Sequence, residues 1–194
     1  MSNKVKYGLK NVYYAVATID ADNKATYDTP VAWKGAVNLS LDAEGDTTKF
    51  RADNMNYWIG QSNNGYSGDF ESALIPDSFK KDVLGYAEDG DGALYEIKDV
   101  PTKYFALLFQ FEGDANATRH VMYKCSATRP TIAGQTTDET IEPQTETLTI
   151  TADAITVAAV NCDVVKASVK YGDDAYNGWF SAVHQPTASP VITT

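Results

Sequence analysis

The sequence predicts a mainly β fold, a β-sandwich or barrel with one short flanking helix and one long extended loop or hairpin arm. Short stretches that alternate apolar and polar residues recur along the chain, as strands with one dry and one wet face require. Clusters of Asp, Asn, Gly and Pro separate them. Only one stretch carries the spacing and end signals of a helix. The hydrophobic share of 43% is drawn largely from Tyr, Val and Ala, interleaved with threonines. That mixture suits pleated strands better than long helices. A length of 194 residues implies one domain, 1–194.

Residues 12–19 form the first strand, and Asp20-Ala21-Asp22-Asn23-Lys24 supplies a turn of residues that tolerate left-handed backbone. The chain resumes over 25–33, which reads as a hairpin with a longer loop. Val37, Leu39 and Leu41 then alternate with Asn38, Ser40 and Asp42 as a half-buried strand. Over 43–68 the alternation stops, and charged and polar residues mix with Phe50, Met55, Tyr57, Trp58 and Ile59. Asn63-Asn64-Gly65-Tyr66-Ser67-Gly68 is turn-like. Irregular connections of this length are uncommon inside a compact domain, and the aromatics argue against plain disorder. The segment reads as a long hairpin or arm that leaves the core and packs on something else.

Residues 70–75 form another strand, and Pro76-Asp77-Ser78-Phe79-Lys80-Lys81-Asp82-Val83-Leu84-Gly85 is the helix. Pro and Asp suit its first turn. Phe79, Val83 and Leu84 share its packing face, and Gly85 supplies a left-handed end. After a turn at Glu88-Asp89-Gly90-Asp91-Gly92 comes a short strand over 93–97. The strand over 104–112 puts Phe105, Leu107, Phe109 and Phe111 on one face, and Gly113-Asp114-Ala115-Asn116 returns the chain into 118–129. Alternation there sets Val121, Tyr123, Cys125 and Ala127 against His120, Met122, Lys124 and Ser126. Residues 130–143 are polar loop, and over 145–152 Leu148 and Ile150 alternate with threonines. Weaker strands follow over 155–160 and 164–171, then a short helical turn at Asn177-Gly178-Trp179-Phe180. Residues 179–194 form a variable C-terminal tail, mobile from Gln185 onward.

No constellation for catalysis stands out, so the chain reads as a non-enzyme without catalytic, cofactor or metal residues. His120 reads as an exposed strand residue, and its odd spacing from Cys125 puts the two on opposite faces. His184 falls in the tail segment and has no visible partner. Asp89-Gly90-Asp91-Gly92 lacks the Glu of a calcium loop at the twelfth position, which is Val100, and reads as a turn. No phosphate-binding glycine loop or nucleophile motif occurs. Cys125 and Cys162 lack zinc-ligand spacing; one disulfide is open to them, and small buried hydrophobes in a reducing compartment is the commoner case. The residues behind Met1 make no signal peptide, and no run reaches the ~18 apolar residues of a membrane helix. A net charge of −10 disfavours binding to nucleic acid, though an acidic wall past which DNA slides fits the same charge.

An ordered set of blocks carries a resemblance. It runs from Val5-Lys6-Tyr7-Gly8-Leu9 through Gly35-Ala36-Val37-Asn38-Leu39, Phe50-Arg51-Ala52-Asp53-Asn54 and Asn63-Asn64-Gly65-Tyr66-Ser67-Gly68-Asp69. It continues with Ala73-Leu74-Ile75-Pro76-Asp77, Phe105-Ala106-Leu107-Leu108-Phe109-Gln110-Phe111 and Ala117-Thr118-Arg119-His120-Val121. Ala127-Thr128-Arg129-Pro130 and Ile141-Glu142-Pro143-Gln144-Thr145 close it. Together these resemble the major tail protein family of long-tailed bacteriophages of Gram-positive hosts, over residues 5–152; residues 153–194 match less well. The resemblance implies a tail tube subunit located in the virion tail, and in the host cytoplasm during assembly. Its partners would be itself, in hexameric rings stacked into a tube, and other tail proteins such as the tape measure and terminator. DNA would pass through the lumen without specific binding, and no cofactor or membrane is involved. Residues 43–68 would be the inter-ring arm, with Phe50, Tyr57, Trp58, Ile59 and Tyr66 as inter-subunit contacts. The same aromatics would equally suit the subunit's own core. A monomeric Ig-like binding or decoration module and a terminator-type ring protein are the alternatives.

Overall fold

The structure, a computed structural model, describes residues 5–136 and 143–187. Met1, Ile141, Glu142 and the end of the tail, 188–194, lie outside the described residues, as does 137–142 of the expected polar loop. The strands are β1 (Leu9–Ile19), β2 (Ala25–Tyr27), β3 (Val31–Ala32), β4 (Ala36–Ala43), β5 (Thr47–Ala52), β6 (Met55–Gln61) and β7 (Tyr66–Ser72). Helix α1 (Asp77–Asp82) precedes β8 (Tyr86–Glu88), β9 (Leu94–Glu96), β10 (Tyr104–Phe111), β11 (Arg119–Ala127) and β12 (Glu146–Asp153). β13 (Ile155–Val157), β14 (Cys162–Val164) and β15 (Lys166–Val169) end the series. The fold is mainly β: one large antiparallel sheet in the order β2-β1-β10-β11-β12-β7-β4, with β3 added to β1, β15 added to β11, and three separate hairpins.

Three bulges shape this sheet, and none breaks the apolar pattern in a way that periodicity reveals. In β1 the pairing with β10 slips by one residue between Lys10 and Tyr13, where Asn11 sits at φ 52°. Asn tolerates that left-handed backbone, so the strand starts at Leu9, ahead of the expected residue 12. In β4 the slip falls between Ala36 and Asn38. Val37 is therefore the extra residue and is exposed, while Ala36, Leu39 and Leu41 pack inward; the expected dry face holds for the two leucines only.

The third slip sets Phe105 opposite Cys125 but Leu107 opposite Met122, so that Tyr123 and Lys124 together face one residue of β10. A bulge of this kind re-aims the side chains beyond it. Met122, Cys125 and Ala127 consequently share one core, and Val121 and Tyr123 another. This corrects the simple alternation expected for the strand. It also puts His120 and Cys125 toward the same side of the sheet, although five residues of strand at ~3.3 Å each keep them far apart. At the same point β11 changes partner: Arg119 to Met122 pair with β15, and Lys124 to Ala127 pair with β12.

The sheet curls around its first core, and β4 comes back beside β1. Leu148 lies across from Phe70, which lies across from Leu39, and all three point inward. α1 plugs one end of the curl. Phe79 is wholly buried, with ring centroids 5.1 Å from Tyr14, 4.4 Å from Trp33 and 5.2 Å from Phe105. The helix is shorter than its motif, and Val83 and Leu84 follow it as buried residues before Gly85 turns at φ 78°.

The second core lies on the outer side of β1, β10 and β11. Ala15, Ala106, Leu108, Val121 and Tyr123 are covered there by Ile155 and Val157 of the β13–β14 hairpin and by Tyr176 and Trp179. β10 is thus buried on both faces, beyond the single apolar face expected. The C-terminal segment supplies that cover, and residues of the expected variable tail from Trp179 to Gln185 pack against the sheet. Trp179 is buried and its indole N–H donates to the His120 carbonyl at 3.3 Å. The Tyr123 hydroxyl donates to the His184 carbonyl at 2.8 Å, and the Gln185 amide donates to the Ala25 carbonyl at 2.8 Å. Residues 177–180 lie in turns, and the expected strand over 155–160 stops at Val157 before a turn through Asn161 at φ 49°.

Candidate functional site

Chemistry-bearing side chains gather at two places on this scaffold: a ribbon that leaves the sheet, and a cavity beneath its stem. The ribbon is β5 and β6. Its ladder continues that of β4 and β7: the Glu44 amide donates to the Gly65 carbonyl at 2.9 Å, Asn64 to Glu44 at 2.8 Å and Ser62 to Asp46 at 3.0 Å. Gly65 sits at φ 93°, and a Cβ there would strike the Ala152 carbonyl oxygen, so a residue with a side chain would disrupt this base. At the far end Asp53 and Asn54 occupy φ 51° and 63°, a tight two-residue turn of the kind that matches strand twist.

Residues directly opposite in an antiparallel pair share a face. Phe50 faces Trp58, Ala52 faces Met55, and Lys49 faces Ile59. One side of the ribbon is therefore Phe50, Met55 and Trp58, and the other is Lys49, Arg51 and Ile59. Tyr57 is the extra residue where the pairing slips between Phe50 and Arg51. The Trp58 ring lies over Gly60, which has no side chain to obstruct it. These side chains are far more open than core residues: Phe50 is 60% exposed, Met55 61%, Tyr57 71%, Trp58 57% and Ile59 53%.

Four of the five residues singled out in the sequence thus stand together on the ribbon. Tyr66 does not. It opens β7, paired with Ala152 and Ala43, half-buried, with the Lys166 ammonium 4.5 Å from its ring centroid. Residues 66–68 of the expected arm belong to the main sheet. Met55 was within reach of sequence reasoning, because it flanks an Asp-Asn turn and joins the same apolar face.

The cavity, of about 600 Å³, opens between β4, the start of β7, β10, β11 and β15. Phe109, Phe111 and Met122 line it, with His120 stacked on Phe109 at 5.2 Å and the Lys6 ammonium 4.6 Å from the Phe111 centroid. His120 was expected to be exposed. It is half-buried between two phenyl rings, and its pKa is held below the usual value, first by burial and then by Lys6, against an opposite pull from Asp114 that outweighs the further push from Lys166. No local motif signals this group, since Lys6, His120 and Lys166 come from three distant segments.

No protein-family model matches the chain, and no curated protein matches it.

Proposed function

We propose that this chain is a structural subunit that assembles with copies of itself into stacked rings, forming a tail tube of the kind built by the phage major tail proteins its sequence resembles. The observation that carries the reading is the β5–β6 ribbon, a two-stranded arm with Phe50, Met55, Tyr57 and Trp58 open to solvent. Burying such a side chain is worth about 1.5–3 kcal/mol. Four together, each already partly covered, offer at most about 6–12 kcal/mol, against the ~4–15 kcal/mol lost in immobilising a partner. One ribbon contact is marginal alone, and a ring that makes several at once is secured. A ribbon that docks on a different surface of the next copy makes a heterologous contact, and such contacts propagate into a filament. The net charge of −10 suits a lumen that must let DNA slide.

Negative-stain electron microscopy and light scattering across a concentration series test this, on the natural chain and on a Phe50→Ser, Trp58→Ser variant. Rings or tubes of uniform width are expected from the first. Monomers or unstacked rings, with unchanged circular dichroism, are expected from the second. Single rings that never stack would favour a terminator-type protein. A natural chain that stays monomeric throughout would favour a decoration module, and a variant that stacks normally would remove the ribbon from assembly.

A further inference from the structure

We propose that the open end of the curled sheet is a binding site for a small organic anion, with an aromatic or otherwise apolar body and a carboxylate or sulfonate head. The inference stands apart from the assembly reading, because the cavity lies within one subunit. α1 closes the Phe105 end of the curl, whereas Phe109 and Phe111 lie further along β10, at the end that stays open. A volume of about 600 Å³ is in the range that encloses a small ligand, and mouths of curled sheets are common places for one. The floor is apolar and ringed: Phe109, Phe111, Met122 and Tyr66.

The charged groups that line this floor have one sign. Lys6 and Lys166 stand at the rim, and no Asp or Glu is among the residues that line the cavity. Among the described residues neither lysine has a carboxylate within 4.0 Å. Each ammonium rests on an aromatic face, at 4.6 Å from the Phe111 centroid and 4.5 Å from that of Tyr66. In a chain with 26 acidic and 16 basic residues, an acid-free cavity flanked by two unpaired lysines departs from the average surface. His120 stands over the same floor, stacked on Phe109; burial and then Lys6 lower its pKa, while Asp114, outside the lining, opposes them by more than Lys166 adds. A neutral imidazole there adds a donor without adding charge. An anionic head between the lysines gains two charge-assisted contacts, while the body lies on the rings.

Anilinonaphthalene sulfonate is a suitable probe, with its uncharged parent phenylnaphthylamine as the control. Fluorescence titration should give one saturable site on the natural chain. The Lys6→Gln, Lys166→Gln variant should bind the sulfonate at least about tenfold more weakly, because it loses both charge-assisted contacts to the anionic head. Its affinity for the uncharged parent should not change, nor should its circular dichroism. The Phe50→Ser, Trp58→Ser variant should keep full affinity for the sulfonate. Equal sulfonate affinity in the lysine variant would overturn the proposal. So would loss of the site in the ribbon variant, which would put the dye on the arm, while tube assembly would be untouched by either result.

Discussion

The indole N–H of Trp33 donates to the Ser72 hydroxyl oxygen at 3.0 Å, with both residues buried. This bond joins the first hairpin to β7, two regions that the curl of the sheet brings together. The Ser72 hydroxyl in turn donates to the Leu74 carbonyl at 2.7 Å, so it both accepts and donates. Ser72→Ala leaves a buried N–H without its acceptor, at a cost of about 1–3 kcal/mol. Urea unfolding measures it, and a loss under about 0.5 kcal/mol, the level of an ordinary surface change, would mean the bond does not hold the curl.

Leu148 is wholly buried in the first core, next to Phe70, while Thr149 beside it is exposed. Leu148→Ala should cost about 2–5 kcal/mol through lost contacts and the cavity left behind. Leu148→Asp should unfold the subunit, because it buries a charge with no partner. Thr149→Ala should stay within about 0.5 kcal/mol. Thermal melts that rank the three differently would reverse the faces of β12.

The two thiols should separate cleanly. Burial pushes the Cys125 thiol up to about 12, and Cys162 is exposed. Since the thiolate is the reactive form, a disulfide-exchange reagent should titrate Cys162 alone in the native protein and both cysteines in denaturant. Prompt reaction of Cys125 in the folded state would show that β11 opens easily.

His120 should make stability depend on pH. Its folded pKa is depressed, so the unfolded chain takes up the proton more readily, and stability rises with pH across the window between the two values. The contribution is complete above the unfolded value of about 6.5 and is lost as pH falls below it. His120→Phe keeps a ring against Phe109 and removes the proton site. The stability difference between variant and natural chain should therefore grow in the variant's favour from about pH 7.5 to about pH 5. A difference that stays flat would mean that the imidazole titrates normally.

Some of the site could be read in the chain and some could not. Phe50, Tyr57, Trp58 and Ile59 are apolar residues in a polar, turn-rich stretch that fits no core strand. Their exposure depends on the β5–β6 pairing, which carries them out of the main sheet. Tyr66 lies only a few residues beyond that stretch, and what removes it from the ribbon is its pairing with Ala152 and Ala43, a long-range fact. The cavity had no sequence signal at all.

The sequence by itself determined what depends on near neighbours: the strand class, a helix starting at Asp77, and the inward Leu148 and Ile150 of β12. Alternation and end signals act over a few residues, so they survive without knowledge of partners. The tertiary structure decided what depends on pairing across the chain. The bulge at Tyr123 and Lys124 moved Cys125 to the other core, the curl gathered Lys6, His120 and Lys166, and residues 153–187 covered the outer face of β10. Inserting one residue into a ladder reverses every side chain beyond it, and only the partner strand fixes where that happens.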